Sequence, residues 1–549
     1  MPSVAEAAAL ELTHAVRRRT GERWPAPAAV RTALLHELAD AVRAHAKQPA
    51  SLASWSDGVD VPGQAYENLV VGAARRPHGQ FQTPFSAADV MAAWLLAEPT
   101  KTLFDPGVGT GRLLFRAGIR EGAKPECYVG LDIDGMCVVM AQLNLRVRGI
   151  EPSVHKADFL LDDAVLARLG LVARPPDAVI ANPPFSRHQS LDAERKDQLH
   201  QRVEDRLGLR LSRRAGLHAL FLLRALEVSA EDARLAFITP AGWLDVAYGQ
   251  AVKRYLTQHV DVEAMVVFGS RRFLFDGVRT TATITLMRKG IRQRGQTRIV
   301  RAPGPGVDVN QVMDALAGRP SLLKTTDVRL THTRPWSTPT VRLGPGTPLS
   351  ELARVRRGIA TGANRFFVVS EASRRLWELP FPVLRACLYR PRLFPCEVID
   401  DAVLDALPEE VPRWLLSSPH ADHDLRIDAL GCYLRFGQRE KAADQSFLAR
   451  YRQVWHQPEE RDSCAIVIPY CNRGLPRFIR NTSGAVPLNS FHVIEPYPGV
   501  DADELWRTLN RPEVLRQVKR LGREYGNRMW KVEPGDLRKV RISMLAPSR

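Results

Sequence analysis

The sequence predicts an α/β protein built on a doubly wound, mainly parallel sheet, with a helical cap before it and a basic mixed α/β domain after it. Three observations carry this. From Gly79 to about Lys289, short apolar runs alternate with helix-like segments, the pattern of parallel strands joined by crossover helices. One strand-to-helix junction in that stretch is rich in glycine, as ligand-binding turns in such sheets are. Finally, 77 Lys and Arg against 60 Asp and Glu leave a formal net charge of +17 over 549 residues. A surplus of that size favours a polyanionic partner.

At roughly 150 residues per domain, the length accommodates about two to four domains. With 45% hydrophobic and 25% charged residues the composition is that of a globular protein, which excludes a disordered chain. No apolar run approaches the roughly 18 residues of a membrane span. Ala219–Leu223, the best candidate, is interrupted by Arg224. The N-terminus carries Glu6 and Glu11 and lacks a basic-then-apolar signal pattern. The seven Cys contain no Cys-x-x-Cys pair, so neither a disulfide framework nor a zinc ribbon is expected, and a cytoplasmic location is.

Taken in order, residues 1–78 are expected to form a helical segment. Ser3 and Glu6 have capping-box spacing, and a second periodic run spans Ala29 to Ala46. Residues 79–290 form the sheet domain. Its strands are predicted at Thr102–Asp105, Tyr128–Asp132, Asp177–Ala181, Leu235–Ile238, Ala264–Phe268 and Thr283–Met287. Residues 291–348, rich in Gly and Pro at 302–306 and 343–348, read as a linker or irregular connection. Residues 349–549 form the second globular unit.

The chemistry lies at strand ends. Asp105-Pro106-Gly107-Val108-Gly109-Thr110-Gly111 closes the first strand, with glycines where a Cβ would keep the backbone away from a ligand. It lacks the Gly-Lys-Ser/Thr of a P-loop and the Gly-x-Gly-x-x-Gly spacing of a dinucleotide site. Asp132 ends the second strand, placed to bind a ribose diol. Asp158 follows near the end of the third. Together these point to an adenosine-containing ligand. The fourth strand runs directly into Asn182-Pro183-Pro184-Phe185. Two prolines stiffen the backbone and leave carbonyls free to accept. The Asn182 oxygen and the Pro183 carbonyl can then take both protons of an amino group, with Phe185 stacking on a flat heterocycle. Such an arrangement makes sense where the amine is a nucleophile.

These motifs, in this order, resemble the gamma-class, TaqI-like, S-adenosylmethionine-dependent N6-adenine DNA methyltransferases, and Gly79-Gln80-Phe81-Gln82-Thr83-Pro84 resembles their upstream motif. The resemblance covers about residues 79–290. It implies a Rossmann-like class I methyltransferase sheet and S-adenosyl-L-methionine as cofactor, with no metal. By resemblance Asp132 holds the ribose, with Ile133 beside it, Asp158 the adenine amino group and Phe159 the adenine ring. Thr83 and Asp105 lie at the methionine end, and Pro106, Gly107, Gly109, Gly111 and Asn182 complete the cofactor set. Asn182, Pro183, Pro184 and Phe185 form the catalytic motif. Phe273-Leu274-Phe275 resembles the loop whose aromatic ring stacks on the flipped base; Phe275 is favoured over Phe273. Leu235–Leu244 is assigned a structural role.

Arg356-Arg357-Gly358 through Asn364-Arg365 resembles the start of the family's target-recognition region. Residues 351–400 hold nine Arg against five acids, and 505–541 hold eleven Arg or Lys against four. Arg with Asn and Gly in loops suits phosphate contacts and guanine reading. Arg356, Arg357, Asn364, Arg365, Arg473, Arg477, Arg480 and Lys531 are therefore expected to contact double-stranded DNA. Residues 1–78 show no Pro-Asp…Asp/Glu-x-Lys nuclease pattern. The expectation is a standalone methyltransferase, a monomer on DNA, serving a restriction-modification or phage-defence system with a separate endonuclease. The alternatives are transfer to another amino group (cytosine in DNA, an RNA base, a protein glutamine) and a catalytically silent DNA-binding subunit.

Overall fold

The computed structural model describes residues 60–69, 82–122, 124–146, 148–185, 193–245, 247–269, 274, 281–291, 295–336, 343–417, 428–440, 452, 454–525 and 529–544. The expected helices of residues 1–59 lie outside them. The chain forms two compact units, divided in sequence between Thr340 and Val341.

The first unit is built on nine strands: β1 (Thr102–Asp105), β2 (Cys127–Asp132), β3 (Pro152–Lys156), β4 (Ala178–Ala181), β5 (Arg234–Pro240), β6 (Val260–Phe268), β7 (Ala282–Lys289), β8 (Thr297–Ala302) and β9 (Lys324–Val328). Their order is β3-β2-β1-β4-β5-β7-β6-β8-β9. Only β7 and β9 run against the rest. The chain winds outward from β1 to β3, then returns to β4 beside β1, so the crevice at the carboxyl ends of β1 and β4 is a topological switch point.

Both faces of the sheet are covered, because successive strand residues point to opposite sides. Leu103, Ala178, Ile180 and Ala236 pack with α2 (Phe85–Leu95), α3 (Arg112–Gly118) and α4 (Gly135–Arg146). Phe104, Val179, Ala181, Leu235 and Phe237 pack on the other side with α5 (Ala193–Leu207) and α6 (Leu217–Val228). Before these, α1 (Val61–Leu69) packs near α4.

Residues 291–348, expected to be a linker, contribute β8, β9 and α7 (Val309–Leu316) to the first unit. The Gly and Pro of Ala302–Gly306 turn the chain from β8 toward α7, whose Val312 and Ala315 are buried in the core. Trp336 is buried against Trp243, with ring centroids 6.2 Å apart, and its backbone N–H donates to Asp245 at 3.1 Å. Trp243 in turn donates to the Thr239 hydroxyl at 3.0 Å, so the Leu235–Leu244 segment is held from below.

The second unit is mixed α/β. Its five-stranded sheet runs, in spatial order, Ala353–Arg357, Phe491–Pro496, Ile466–Pro469, Ile479–Asn481, Val398–Ile399. A four-stranded sheet lies in the same unit, and a three-stranded one places Cys471–Arg473 beside Met529–Lys531. No helix among the described residues is long and apolar enough to cross a membrane.

Candidate active site

Four strands deliver the chemistry to one edge of the first unit. Asp105 and Asp132 are the last residues of β1 and β2; Asp158 follows β3 by two residues, and Asn182 follows β4 directly. Between them the glycine loop is fixed by backbone bonds. Gly107 N–H donates to Asp105 Oδ1 at 3.0 Å, Gly109 N–H to Asp132 Oδ2 at 2.9 Å, and Asp134 N–H to Asp132 Oδ1 at 2.9 Å. Gly111 has φ +86°, and a Cβ there would lie 3.0 Å from the Ala141 Cα, so glycine is what lets α3 start against α4. A Cβ on Gly109, by contrast, would enter open space above the loop.

Burial sets the electrostatics. Asp105 is fully inaccessible; desolvation pushes its carboxyl up to about 8, helped by the nearby Asp132 and opposed by the Gly107 N–H. Its Oδ2 has no hydrogen-bond partner among the described residues. Burial also raises Asp132, to about 6, against the pull of its N–H donors. An acid with one unanswered oxygen beside a second acid and an open glycine loop suits a ligand carrying a positive group and a diol. S-Adenosyl-L-methionine is such a ligand.

At the third strand, Phe159 is 2% exposed and packs between Phe104 (5.6 Å) and Phe221 (5.5 Å). Phe221 on α6 is the partly buried ring, 3.4 Å from where a Gly107 Cβ would sit. Within a continuously apolar helix no spacing singled Phe221 out. Ile133, 56% exposed at the β2 tip, presents apolar surface beside Asp132. Asp158 accepts the Leu160 N–H at 3.1 Å and pairs with Arg195 of α5 at 2.5 Å. A ligand amino group must share that carboxylate with Arg195 or displace it. Arg195 carried no sequence signal, being one of many helical arginines.

The Asn182-Pro183-Pro184-Phe185 turn is tied to the upstream motif. Asn182 Nδ2 donates to the Thr83 hydroxyl at 3.0 Å, which holds the amide at the end of β4. Pro183 is buried, and Phe185 packs partly against the core. Gln82 donates to the Thr110 hydroxyl at 2.8 Å, joining the same motif to the glycine loop. Phe273 and Phe275 lie outside the described residues; Leu274 between them is buried.

The family models match the two units in order. Residues 57–318 match N-6 DNA Methylase, and residues 340–549 match the C-terminal domain of type II methyltransferase M.Eco57I. The type II methyltransferase M.AccI of Acinetobacter calcoaceticus is 25% identical over 480 residues, and M.XamI of Xanthomonas campestris pv. amaranthicola 27% over 485, each covering 85% of both chains. Over both units the chain is thus similar to type II methyltransferases. Its fold is also that of a solved type IIL restriction-modification enzyme, MmeI in complex with DNA, with a TM-score of 0.55 and 13% identity over 89% of this chain and 70% of that one. The cofactor of this methylase family is S-adenosyl-L-methionine, and the Asp105, Asp132 and glycine-loop geometry fits that group.

In the second unit, several expected DNA contacts are occupied within the fold. Arg477 donates to the Phe394 (2.5 Å) and Cys396 (3.4 Å) carbonyls, and Arg480 to Asp503 (2.7 Å) and the Ala465 carbonyl (2.9 Å). Arg356 pairs with Glu495, and Asn364 accepts from Thr361. Buried carbonyls need donors, and arginine supplies several at once. Arg357 and Arg365 are exposed. Arg357 and Lys531 both lie over the Tyr470 ring, at 5.1 and 4.7 Å, which joins two basic segments far apart in sequence. The Arg473 side chain lies outside the described residues.

Proposed function

We propose that the chain is a site-specific DNA methyltransferase that transfers a methyl group to the N6 amino group of an adenine turned out of the duplex. It would act as the modification partner of a separate restriction endonuclease. The observation that carries this reading is the Asn182 amide, fixed by Thr83 at the end of β4, one strand from the carboxylate of Asp105.

A paired adenine amino group is engaged in the duplex, so the base must leave the stack, at a cost of a few kcal/mol. Phe185 offsets part of that by stacking, together with an aromatic side chain of the Phe273–Phe275 segment. Asn182 Oδ1 and the Pro183 carbonyl accept hydrogen bonds from the two amino N–H groups and turn the nitrogen lone pair toward the cofactor edge; one of those protons passes to water once the nitrogen carries the methyl group. S-Adenosyl-L-methionine, when bound, supplies an electrophilic sulfonium methyl. Asp132 and Asp105 orient the bound group through its ribose and its cationic end. No strong base is required, so the rate rests on orientation and on acceptors matched to the charge that develops on the amine. Arg357, Arg365 and Lys531 of the second unit meet the phosphate backbone.

The test is modified-base sequencing of genomic DNA from a host free of adenine methylation, expressing the chain or its Asn182→Ala variant. N6-methyladenine at one short motif, absent with the variant, is expected. Methylcytosine would move the reaction to another base, and an unmodified genome despite folded protein would overturn the reading.

A further inference from the structure

Residues before Gly79 carry no recognised chemistry, yet their last described element reaches the catalytic turn through a short chain of side chains. Asp60 precedes α1, and its carboxylate takes Arg112 Nε at 2.5 Å and Nη2 at 3.0 Å. The two side chains are 0% and 5% exposed. The remaining edge of the guanidinium turns the other way: Nη1 donates to the Thr83 carbonyl at 3.1 Å. The hydroxyl of that same Thr83 receives Asn182 Nδ2. Arg112 also lies 4.6 Å from the Phe85 ring centroid, so its plane is held from the side.

A buried ion pair adds little stability over an apolar pair of the same volume. An apolar pair, however, cannot aim an N–H at the Thr83 carbonyl, and a lone buried guanidinium would be costly without its carboxylate. Gly63 serves the same end. A Cβ there would lie 2.4 Å from Asp60 Oδ1, so bare backbone is what allows the carboxylate to lie across the first turn of α1 and meet Arg112.

We propose that Asp60 is a positioning residue for methyl transfer: through Arg112 it fixes Thr83, and through Thr83 the orientation of the Asn182 amide. This rests on the function proposed above, and it gives the segment before the sheet domain a role in the reaction rather than in covering the core alone.

The test compares wild type with Asp60→Asn, Gly63→Ala, Thr83→Ala and the Asp60→Asn/Thr83→Ala double variant. Three quantities are read: single-turnover methyl incorporation into unmethylated genomic DNA, S-adenosylmethionine affinity by calorimetry, and melting temperature. Asp60→Asn and Gly63→Ala are expected to slow transfer about tenfold or more while cofactor affinity stays within about threefold. In the double variant, Asp60→Asn is expected to add nothing beyond Thr83→Ala, because both act through one hydroxyl. Folded variants that transfer at the wild-type rate overturn the proposal, as do losses that multiply in the double variant or that match an equal loss of cofactor affinity. Gly63→Ala keeps both charges and remains informative if Asp60→Asn fails to fold. A wild type that binds cofactor but leaves DNA unmethylated counts against the proposed function instead. A crystal structure of Asp60→Asn or Gly63→Ala then judges the positioning role on its own: Asn182 still bonded to Thr83 as in wild type overturns it, and a displaced amide supports it.

Discussion

Charge is put to different uses in the two units. At the cofactor edge of the first, Asp105 and Asp132 are buried at strand ends; each has backbone N–H donors, and Asp105 keeps one oxygen unanswered. In the second, Arg477 and Arg480 turn their guanidinium groups onto carbonyls of their own unit, and the exposed Arg357 gathers with Lys531 around Tyr470. A buried acid that stays unsatisfied at a strand end, beside a glycine loop, marks a candidate place for a ligand. A basic residue that is fully engaged marks only a fold, whatever its contribution to the net charge.

The sharpest way to break this contrast is at Asn182. Asn182→Ala is expected to lower methyl transfer on the order of 100- to 1,000-fold, because an aligned acceptor for developing charge is lost. Cofactor affinity, measured alongside by calorimetry, is expected to change little. Equal losses in both would make Asn182 part of the cofactor site only.

Asp132→Ala is the reciprocal case. It is expected to weaken S-adenosylmethionine binding roughly 10- to 100-fold, the loss of charge-assisted hydrogen bonds to a diol. An unchanged dissociation constant would move the ribose elsewhere.

Proton linkage tests the same edge with a smaller effect. Burial holds the Asp105 carboxyl at about 8, so it carries a proton in the free protein near neutrality. A cationic group bound there favours the ionised form. Binding therefore releases a proton, and affinity is expected to rise by up to about tenfold per pH unit toward pH 8 and level off above it. The sign for the free protein is opposite: its folded-state pKa is raised, so stability falls as pH climbs from the ordinary carboxylate range through 8. Calorimetry in buffers of different ionisation enthalpy reads the proton directly. Asp105→Asn is expected to flatten the profile, and a sloping profile in that variant would assign the proton to another group.

The smallest effects separate the arginines of the second unit. Arg357→Ala and Lys531→Ala are each expected to lessen the salt dependence of DNA binding by about one unit of log–log slope. Arg477→Ala is expected to lower the melting temperature and leave that slope unchanged. A slope change with Arg477→Ala would return it to the DNA surface.

What the sequence made legible follows from the same physics. Asp105, the glycine loop, Asp132 and Asn182 were readable because strand ends in a parallel sheet occupy fixed places, so linear order becomes geometry. The strands β8 and β9 were hidden: the Gly and Pro of their flanking turns dominate the local composition. The burial of Phe159 was not legible, because an aromatic next to an acid reads the same whether it faces ligand or core. Asp60 and Arg112 lie 52 positions apart, and only the fold brings them together.

The strand that closes the large sheet has a bearing on how the protein behaves in a crowded cell. Beyond β9 no further strand pairs among the described residues, so its outer backbone groups face outward as a template for another chain. Its sequence answers that hazard. Lys324, Thr325, Thr326 and Asp327 are all exposed, and Asp327 is clasped by Arg298 of β8 at 2.8 and 2.9 Å. The apolar interior strands β6 and β7 are thus kept two and three positions away from the rim, and the rim itself is charged and hydroxylated. The segment that looked like a spacer between two domains works as a hem, one that resists edge-to-edge aggregation of a nine-stranded sheet.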